Sequence, residues 1–403
     1  MIPLEEAQNF VLGEVQPLSA KALKIVDSRG RVTAESVTSS ESVPPFDNTA
    51  VDGFAVLASD THGATEESPV YLAVLESIAA GSAPTAQIES GKCSKIMTGA
   101  PMPIGADAVV MVEWTDQGEN QKIVHITREV SQGDHVRRAG EDLLPNDLVI
   151  PKGKLLNPAH LGLLASLGIY EIETVQKPKV AIFSTGDELV EGSQELKPGQ
   201  IRDSNRFSLL ALLEKDGFEA IDLGLIADNE QTIETTIKEA AKTSDAIITT
   251  GGVSMGDFDF VKVVLNRIGD MRWMQIAIKP AKPFAFGLVN KIPVFGLPGN
   301  PVSSMVSYEL LAKPALKKMM GLTDLLPTYF WGEAQEQFRR KSDGKTHFVR
   351  VIVSSDTAPP LIKSAGNQGS HQLTGMAEAN ALAVIPDGEG VEPGLPVQFF
   401  FLD

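Results

Sequence analysis

The sequence predicts a multidomain α/β protein, in which a doubly wound parallel-sheet domain follows a helical N-terminal domain carrying an inserted β-rich domain and precedes a C-terminal β-barrel. Three observations predict this. Strand and helix patterns alternate from Lys177 to about residue 322. Short β-branched runs fill 44–135, with helical periodicity on both sides. Beyond residue 322 the helical pattern stops. The 403 residues also exceed the roughly 100–200 of a single domain.

LEEAQNFVLGEV has apolar residues at helical intervals, and SAKALKIVDSRGRV reads as a second helix after a Pro break. The runs SPVYLAVL, DAVVMVEW and KIVHITREV, separated by Gly and Pro, read as strands. Helical periodicity returns in NPAHLGLLASLGI, with Asn157 as cap and Pro158 in the first turn. The expected boundaries are 1–43 with 136–176 for the helical domain and 44–135 for the β-rich insertion. The α/β domain then spans 177–322 and the C-terminal domain 323–403.

In the α/β stretch the strands are KPKVAIFSTGDEL, EAIDLGLIAD, DAIITTGG and IPVFGLPGN. The helices between and after them are NRFSLLALLEKDGF, NEQTIETTIKEAAKTS, DFDFVKVVLNRIG and PVSSMVSYELLAKPALKKMMG. THFVRVIVSS, ALAVIPD and LPVQFFFLD read as strands of a small barrel or sandwich.

A formal net charge of −17 argues against a nucleic-acid binder, which needs a basic face. It leaves room for one small anion in a locally basic pocket. Cys93 is the only cysteine, so there is no internal disulfide and no thiolate metal site. The acidic start and the lack of a long apolar window point to a cytoplasmic protein with no membrane span.

Ligands of open parallel sheets bind at the carboxyl ends of the strands. Three such ends share a polar, Gly-containing character: FSTGDELV, TTGGVSMGDFD with Gly251, Gly252 and Ser254, and GLPGNPVSSM with Pro298. At the third, Asn300 is the expected N-cap, Pro301 suits the first helical position, and Gly299 permits close approach of a ligand. That helix start suits an anion, and Lys279 and Lys282 lie just upstream; taken alone, the segment reads first as a capped helix after a tight turn. Asp257 as N-cap and Asp259 in the first turn likewise have local explanations. Glu188, Asp228 and Asp259 converging on one crevice would repel one another, and a divalent cation such as Mg²⁺ would relieve this. Asx-turns explain Asp47, Asn48 and Asp52, and a surface ion-pair cluster explains Arg137, Arg138, Glu141 and Asp142.

Taken together, PPFDNTAVDGFA, KIMTGAPMPIGADAVV, GEDL, SLGI, FSTGDEL, DSNR, TTGGVSMGDFDF, KPAKPFAFG and LPGNPVS make the chain resemble the molybdopterin molybdenumtransferases. The match runs in order from about residue 40 to 310, and GNQGSH extends it further. The resemblance implies an elongated homodimer of four-domain subunits, with an α/β domain of the molybdopterin-binding type. It implies insertion of molybdate into adenylylated molybdopterin, supplied by an upstream molybdopterin adenylyltransferase, with Mg²⁺-assisted release of AMP. It assigns functional roles to Asp52, Thr98 and Asp142, some supplied across the dimer interface, and to Ser370. Under it, Glu188, Asp228 and Asp259 hold Mg²⁺ or position water, and Lys279, Lys282 and Arg350 neutralise phosphate or molybdate.

Two departures stand out: Ala281 where the family often has glycine, and Gln275 where a relative can carry lysine. Other readings share some of the motifs. Adenylyl transfer to molybdopterin leaves the flanking domains unexplained, and a pterin-binding scaffold leaves the acid cluster without purpose. A generic Mg²⁺-dependent phosphohydrolase would release AMP from unrelated nucleotides.

Overall fold

The structure is a computed structural model that describes residues 1–116, 121–251, 260–354 and 356–402. Its centre is a six-stranded sheet. The elements are β1 (Lys179–Thr185), α1 (Asn205–Lys215), β2 (Glu219–Ile226), α2 (Glu230–Thr243) and β3 (Ala246–Thr250). They continue as α3 (Phe260–Ile268), β4 (Asp270–Gln275), β5 (Pro283–Val289), β6 (Ile292–Leu297) and α4 (Pro301–Ser307). The strand order is β2-β1-β3-β6-β5-β4.

Strands β2, β1, β3 and β6 are parallel, whereas β5 and β4 run antiparallel at one edge. The expected parallel sheet is therefore mixed. The apolar run FAFGLV and the turn at Asn290 and Lys291, both with positive φ, fold β5 back onto β6 as a hairpin.

Side-chain alternation makes the strands two-faced. Val180 and Ile182 of β1 join Leu209 and Leu213 of α1 in one core. Ala181 and Phe183 join Ile233 and Ile237 of α2 and Val261 and Val264 of α3 in another.

Helix α4 continues through a π-helical turn, Tyr308–Ala312, into a helix over Lys313–Met319. Pro314 has no N–H for the carbonyl of Leu310, four residues back, so an ordinary helix would leave that oxygen bare. Gln8 of the N-terminal helix (Leu4–Glu14) donates to it instead, at 2.9 Å.

The N-terminal region corrects the helical expectation. SAKALKIVDSRGRV forms no α-helix: Ala20–Lys24 is a strand, paired antiparallel with Glu171–Val175. Val32–Thr33 adds to the other side of that strand, and Val37–Thr38 pairs with Leu148–Ile150. The partners lie more than a hundred residues away, and they override the local periodicity. A helix does form over Pro158–Ser166, capped by Asn157, whose side chain accepts from the His160 N–H. Between these pairings sits a six-stranded sheet containing Gly53–Val56, Val70–Ile78 and Lys92–Ile96. Cys93 is fully buried there, and burial pushes its thiol up to about 12, which makes it a small inert hydrophobe.

After residue 323, five strands close on themselves as a barrel: Phe330–Ala334, Thr346–Ser354, Leu361–Ser364, Ala381–Ile385 and Pro396–Phe401. Ile278–Lys279 adds in parallel to Thr346–His347 and stitches the barrel to the central unit. Among the described residues, no helix is long and apolar enough to cross a membrane.

Candidate active site

Strands β1 and β3 lie side by side, but the chain leaves β1 through α1 and reaches β3 through α2, on opposite faces. Their carboxyl ends therefore flank a switch point, where the fold leaves a crevice. A cavity of about 80 Å³ lies there, lined by Thr185, Glu188, Asn205, Thr250, Gly251, Gly299 and Pro301.

Gly251 has φ +87°, and a Cβ on it would stand 3.0 Å from the Thr185 carbonyl. Both the left-handed backbone and the close approach call for glycine. Its N–H donates to the Leu297 carbonyl at 3.2 Å, tying the end of β3 to that of β6. Asn205, the first residue of α1, donates from Nδ2 to the Gly299 carbonyl at 2.7 Å. Its Oδ1 is buried and, among the described residues, has no donor. A buried acceptor left open beside a cavity is suited to a ligand N–H or O–H. The sequence reading missed Asn205 as a site residue; the signal was DSNR at the start of a helix that follows a strand end.

Arg206, next in the chain, is fully buried and holds the loop around this crevice. It donates to Asp203 at 3.1 Å and to Asp222 at 2.6 Å, and forms an ion pair with Glu191 at 2.9 Å.

The carboxylates gather at the same end. The Thr185 hydroxyl donates to Asp228 at 2.9 Å. Burial raises the Asp228 carboxyl above its ordinary range, and the charges of Asp187 and Glu188 add to this while the Thr185 bond opposes it. The structure thus places Glu188 and Asp228 near one another and adds Asp187. Glu188 folds back over Gly186: a Cβ there would meet its carboxylate at 2.7 Å. Among the described residues, no three acidic, histidine or cysteine side chains form a metal-holding group. Asp259, with Gly252, Ser254 and Asp257, lies outside the described residues.

At the third strand end, Pro298 is buried while Gly299 and Asn300 are exposed. Asn300 takes the N-cap position of α4, but its side chain makes no capping bond, which corrects that expectation. Instead the Val302 N–H, one of the helix's open donors, donates to the Ser370 carbonyl at 3.1 Å. This anchors the GNQGSH loop on the helix start. Arg350 holds the same loop from beneath. It is fully buried and donates to the carbonyls of Asn367 at 2.6 Å and Gly369 at 3.0 Å, with Nε unpartnered among the described residues.

Lys279 and Lys282 are exposed, and neither lines the crevice. Between them Ala281 is buried with φ +74°. That conformation is costly for a residue with a Cβ and explains the preference for glycine at this point. Lys279 lines a separate cavity of about 610 Å³ against the barrel.

Asp52 and Thr98 meet in the β-rich segment. The Thr98 backbone N–H donates to Asp52 Oδ1 at 2.7 Å and its hydroxyl to the same oxygen at 2.8 Å. These bonds, the backbone one foremost, lower the Asp52 carboxyl below its ordinary range. Asp142 is exposed, with its N–H on the Val43 carbonyl. Among the described residues, Asp52, Thr98 and Asp142 share no hydrogen bond, ion pair or cavity with the strand-end crevice of the same chain.

Known proteins match along the whole length. A family model of the MoeA N-terminal region (domain I and II) matches residues 2–168, a probable molybdopterin binding domain 181–318, and the MoeA C-terminal region (domain IV) 333–402. The molybdopterin molybdenumtransferase of Haemophilus influenzae is 37% identical, covering 97% of this chain and 96% of its own. This chain belongs to the molybdopterin molybdenumtransferase family. The Bacillus subtilis relative of that name is 35% identical over 100% of this chain and 94% of its own. A crystal structure of the molybdopterin biosynthesis MoeA protein from Pyrococcus horikoshii superposes with a TM-score of 0.84 at 29% identity, covering 100% of both chains. Family membership agrees with the resemblance read from the motifs.

Proposed function

We propose that this chain completes molybdenum cofactor synthesis: it inserts molybdenum from molybdate into adenylylated molybdopterin and releases AMP with Mg²⁺ assistance. The full-length relationship to proteins named for molybdenum transfer carries this reading. The crevice supports it, with an open acceptor on Asn205, two glycine approaches and a carboxylate cluster at one switch point.

The gathering of Asp187, Glu188 and Asp228 supports a cation site, and Asp228, raised first by burial and then by the charges of Asp187 and Glu188, is consistent with it. Glu188 and Asp228, with Asp259, would hold Mg²⁺, leaving other positions to water and phosphate oxygens as this ion prefers. The bound ion would neutralise charge on the phosphoanhydride that breaks. Asn205 and the Gly251 and Gly299 backbones orient the substrate, and Arg206 keeps the loop bearing Glu188 in place. Lys279 and Lys282, both exposed, supply positive charge towards molybdate, while Arg350 holds the loop that carries Ser370 and that loop rests on the Asn300–Pro301 helix start.

Asp52, Thr98 and Asp142 act on the same substrate from a partner subunit. In this reading 1–43 with 136–176 forms the dimer contact, 44–135 reaches the partner's crevice, 177–322 carries the site and 323–403 closes it. An upstream adenylyltransferase supplies the substrate.

The test is AMP release from adenylylated molybdopterin with Mg²⁺, with and without molybdate. Release that depends on molybdate, with molybdenum retained on the pterin, is the expected result. Tight binding without release under any oxyanion would overturn the transferase reading.

A further inference from the structure

A cavity of about 310 Å³ lies between the helix over Lys313–Met319 and the closing strand of the barrel, at the small end of the range for ligand sites. Its apolar walls are Phe330, Phe400 and Phe401 from the barrel and Leu325, Leu326 and Pro327 from the segment that leads into it. Phe400 is buried, whereas Leu326, Phe330 and Phe401 are exposed, so part of this apolar wall is open to water. Its polar groups are Glu309, Lys313, Lys317 and the Thr328 hydroxyl. None of these residues lines the strand-end crevice or has a part in the proposed reaction.

Residues 309, 313 and 317 recur at every fourth position, the spacing of one helix face. Glu309 belongs to the π-helical turn and the two lysines to the helix that follows. Lys313 is committed: it pairs with Glu309 Oε2 at 3.1 Å and with Asp216 at 2.9 Å, and Asp216 also accepts from the Tyr308 hydroxyl at 2.7 Å. Two groups remain open. Glu309 is only 4% exposed, and among the described residues its Oε1 has no donor. Lys317 is half-buried and forms no hydrogen bond or ion pair among the described residues.

Burial disfavours both charges. It pushes the Glu309 carboxyl above its ordinary range, with Asp216 adding and Lys313 opposing. It pulls the Lys317 ammonium below its own, with Lys313 adding and Asp216, Asp324 and Glu309 opposing. The charges acting here balance: Glu309, Asp216 and Asp324 against Lys313, Lys317 and Lys215. A ligand with a net charge would upset that balance. One that carries both signs meets the open oxygen and the open ammonium together.

We propose that this cavity binds a free aromatic α-amino acid. Its ammonium donates to Glu309, its carboxylate accepts from Lys317 and the Thr328 hydroxyl, and its ring packs among Phe330, Phe400 and Phe401. So placed, it bridges the last helix of the central unit to the barrel. The site stands apart from the proposed reaction, and neither depends on the other.

The experiment is calorimetric titration of L-phenylalanine into the full-length protein. Phenethylamine and 3-phenylpropionate each lack one of the two charged groups, and each should bind about tenfold more weakly, as expected for the loss of one charge-assisted contact. Lys317→Gln should weaken L-phenylalanine by about tenfold and leave phenethylamine, which has no carboxylate, unchanged. Its melting temperature should match that of the unaltered protein, and the ligand series needs no variant at all. No binding of L-phenylalanine, or binding indifferent to Lys317→Gln in a folded variant, would overturn the site. Either truncated ligand binding as tightly as L-phenylalanine would overturn recognition of an amino acid.

Discussion

The two acidic centres of this chain are opposites. At the strand-end crevice, Asp228 is partly buried among Asp187 and Glu188 and is held above its ordinary range. In the β-rich segment, Asp52 is exposed, accepts two bonds from Thr98 and is held below its ordinary range. The first is a carboxyl whose charged form burial and neighbouring acids disfavour, with the Thr185 hydroxyl opposing them. The second is an anion that the fold stabilises and aims. Environments that push two carboxylates apart in this way separate roles within one reaction. The chain keeps them in different structural units, so the proposed reaction brings them together only if a second subunit supplies one of them.

The comparison breaks most sharply at Asp228. Asp228→Asn should suppress turnover by about a hundredfold or more, the scale of losing an electrostatic group in a water-poor site. Its folded pKa is raised, so the native state binds the proton more tightly than the unfolded one. Its contribution to stability is therefore present below the unfolded pKa and is lost as pH rises through the raised value. The amide variant should accordingly melt at the same temperature or higher near neutral pH. A fall in both activity and melting temperature would assign Asp228 to structure instead.

Asp52 carries the opposite sign. Its stability contribution is present above the unfolded pKa and fades as pH falls through the lowered one. Thr98→Ala should therefore flatten the acid limb of the melting curve and cost activity less than Asp228→Asn does. An unchanged acid limb would remove the Thr98 hydroxyl bond from the account, the backbone bond being kept in this variant.

At Gly251 the effect should be conformational. Gly251→Ala places a methyl group 3.0 Å from the Thr185 carbonyl in a left-handed backbone. It should cost about 1–2 kcal/mol in chemical denaturation. The smallest effect belongs to Ala281→Gly. Relief of the left-handed conformation, roughly 1–2 kcal/mol, outweighs the roughly 0.5–1 kcal/mol entropy cost of glycine, so a gain of about 0.5 kcal/mol is expected.

Much of the fold was legible. Switches between two-residue and helical periods marked β1, β2, β3 and β6 and their helices, and the acids at the ends of β1 and β2 stood out because strand ends are where ligands bind. The strand at Ala20–Lys24 was not legible, because its partner is 171–175 and its own residues repeat like a helix. The antiparallel β4 and β5 were hidden by the same rule that revealed the rest, since alternation suggests only parallel crossovers. Asn205 escaped because an Asn at a helix start reads as local capping; only the unsatisfied Oδ1 shows a further use. Arg350 was read as facing an anion, and the structure shows it gripping the 366–371 loop through carbonyls that have no sequence signature.

The most direct test of the two-subunit site is a mixing experiment. Asp228→Asn and Asp52→Asn proteins, each inactive alone, are unfolded together, refolded and assayed for molybdate-dependent AMP release. If the two centres meet across a dimer, mixed dimers hold one intact site, and roughly a quarter of normal activity should return. A mixture as inactive as its components would contradict the account and place both acids on one chain's own site.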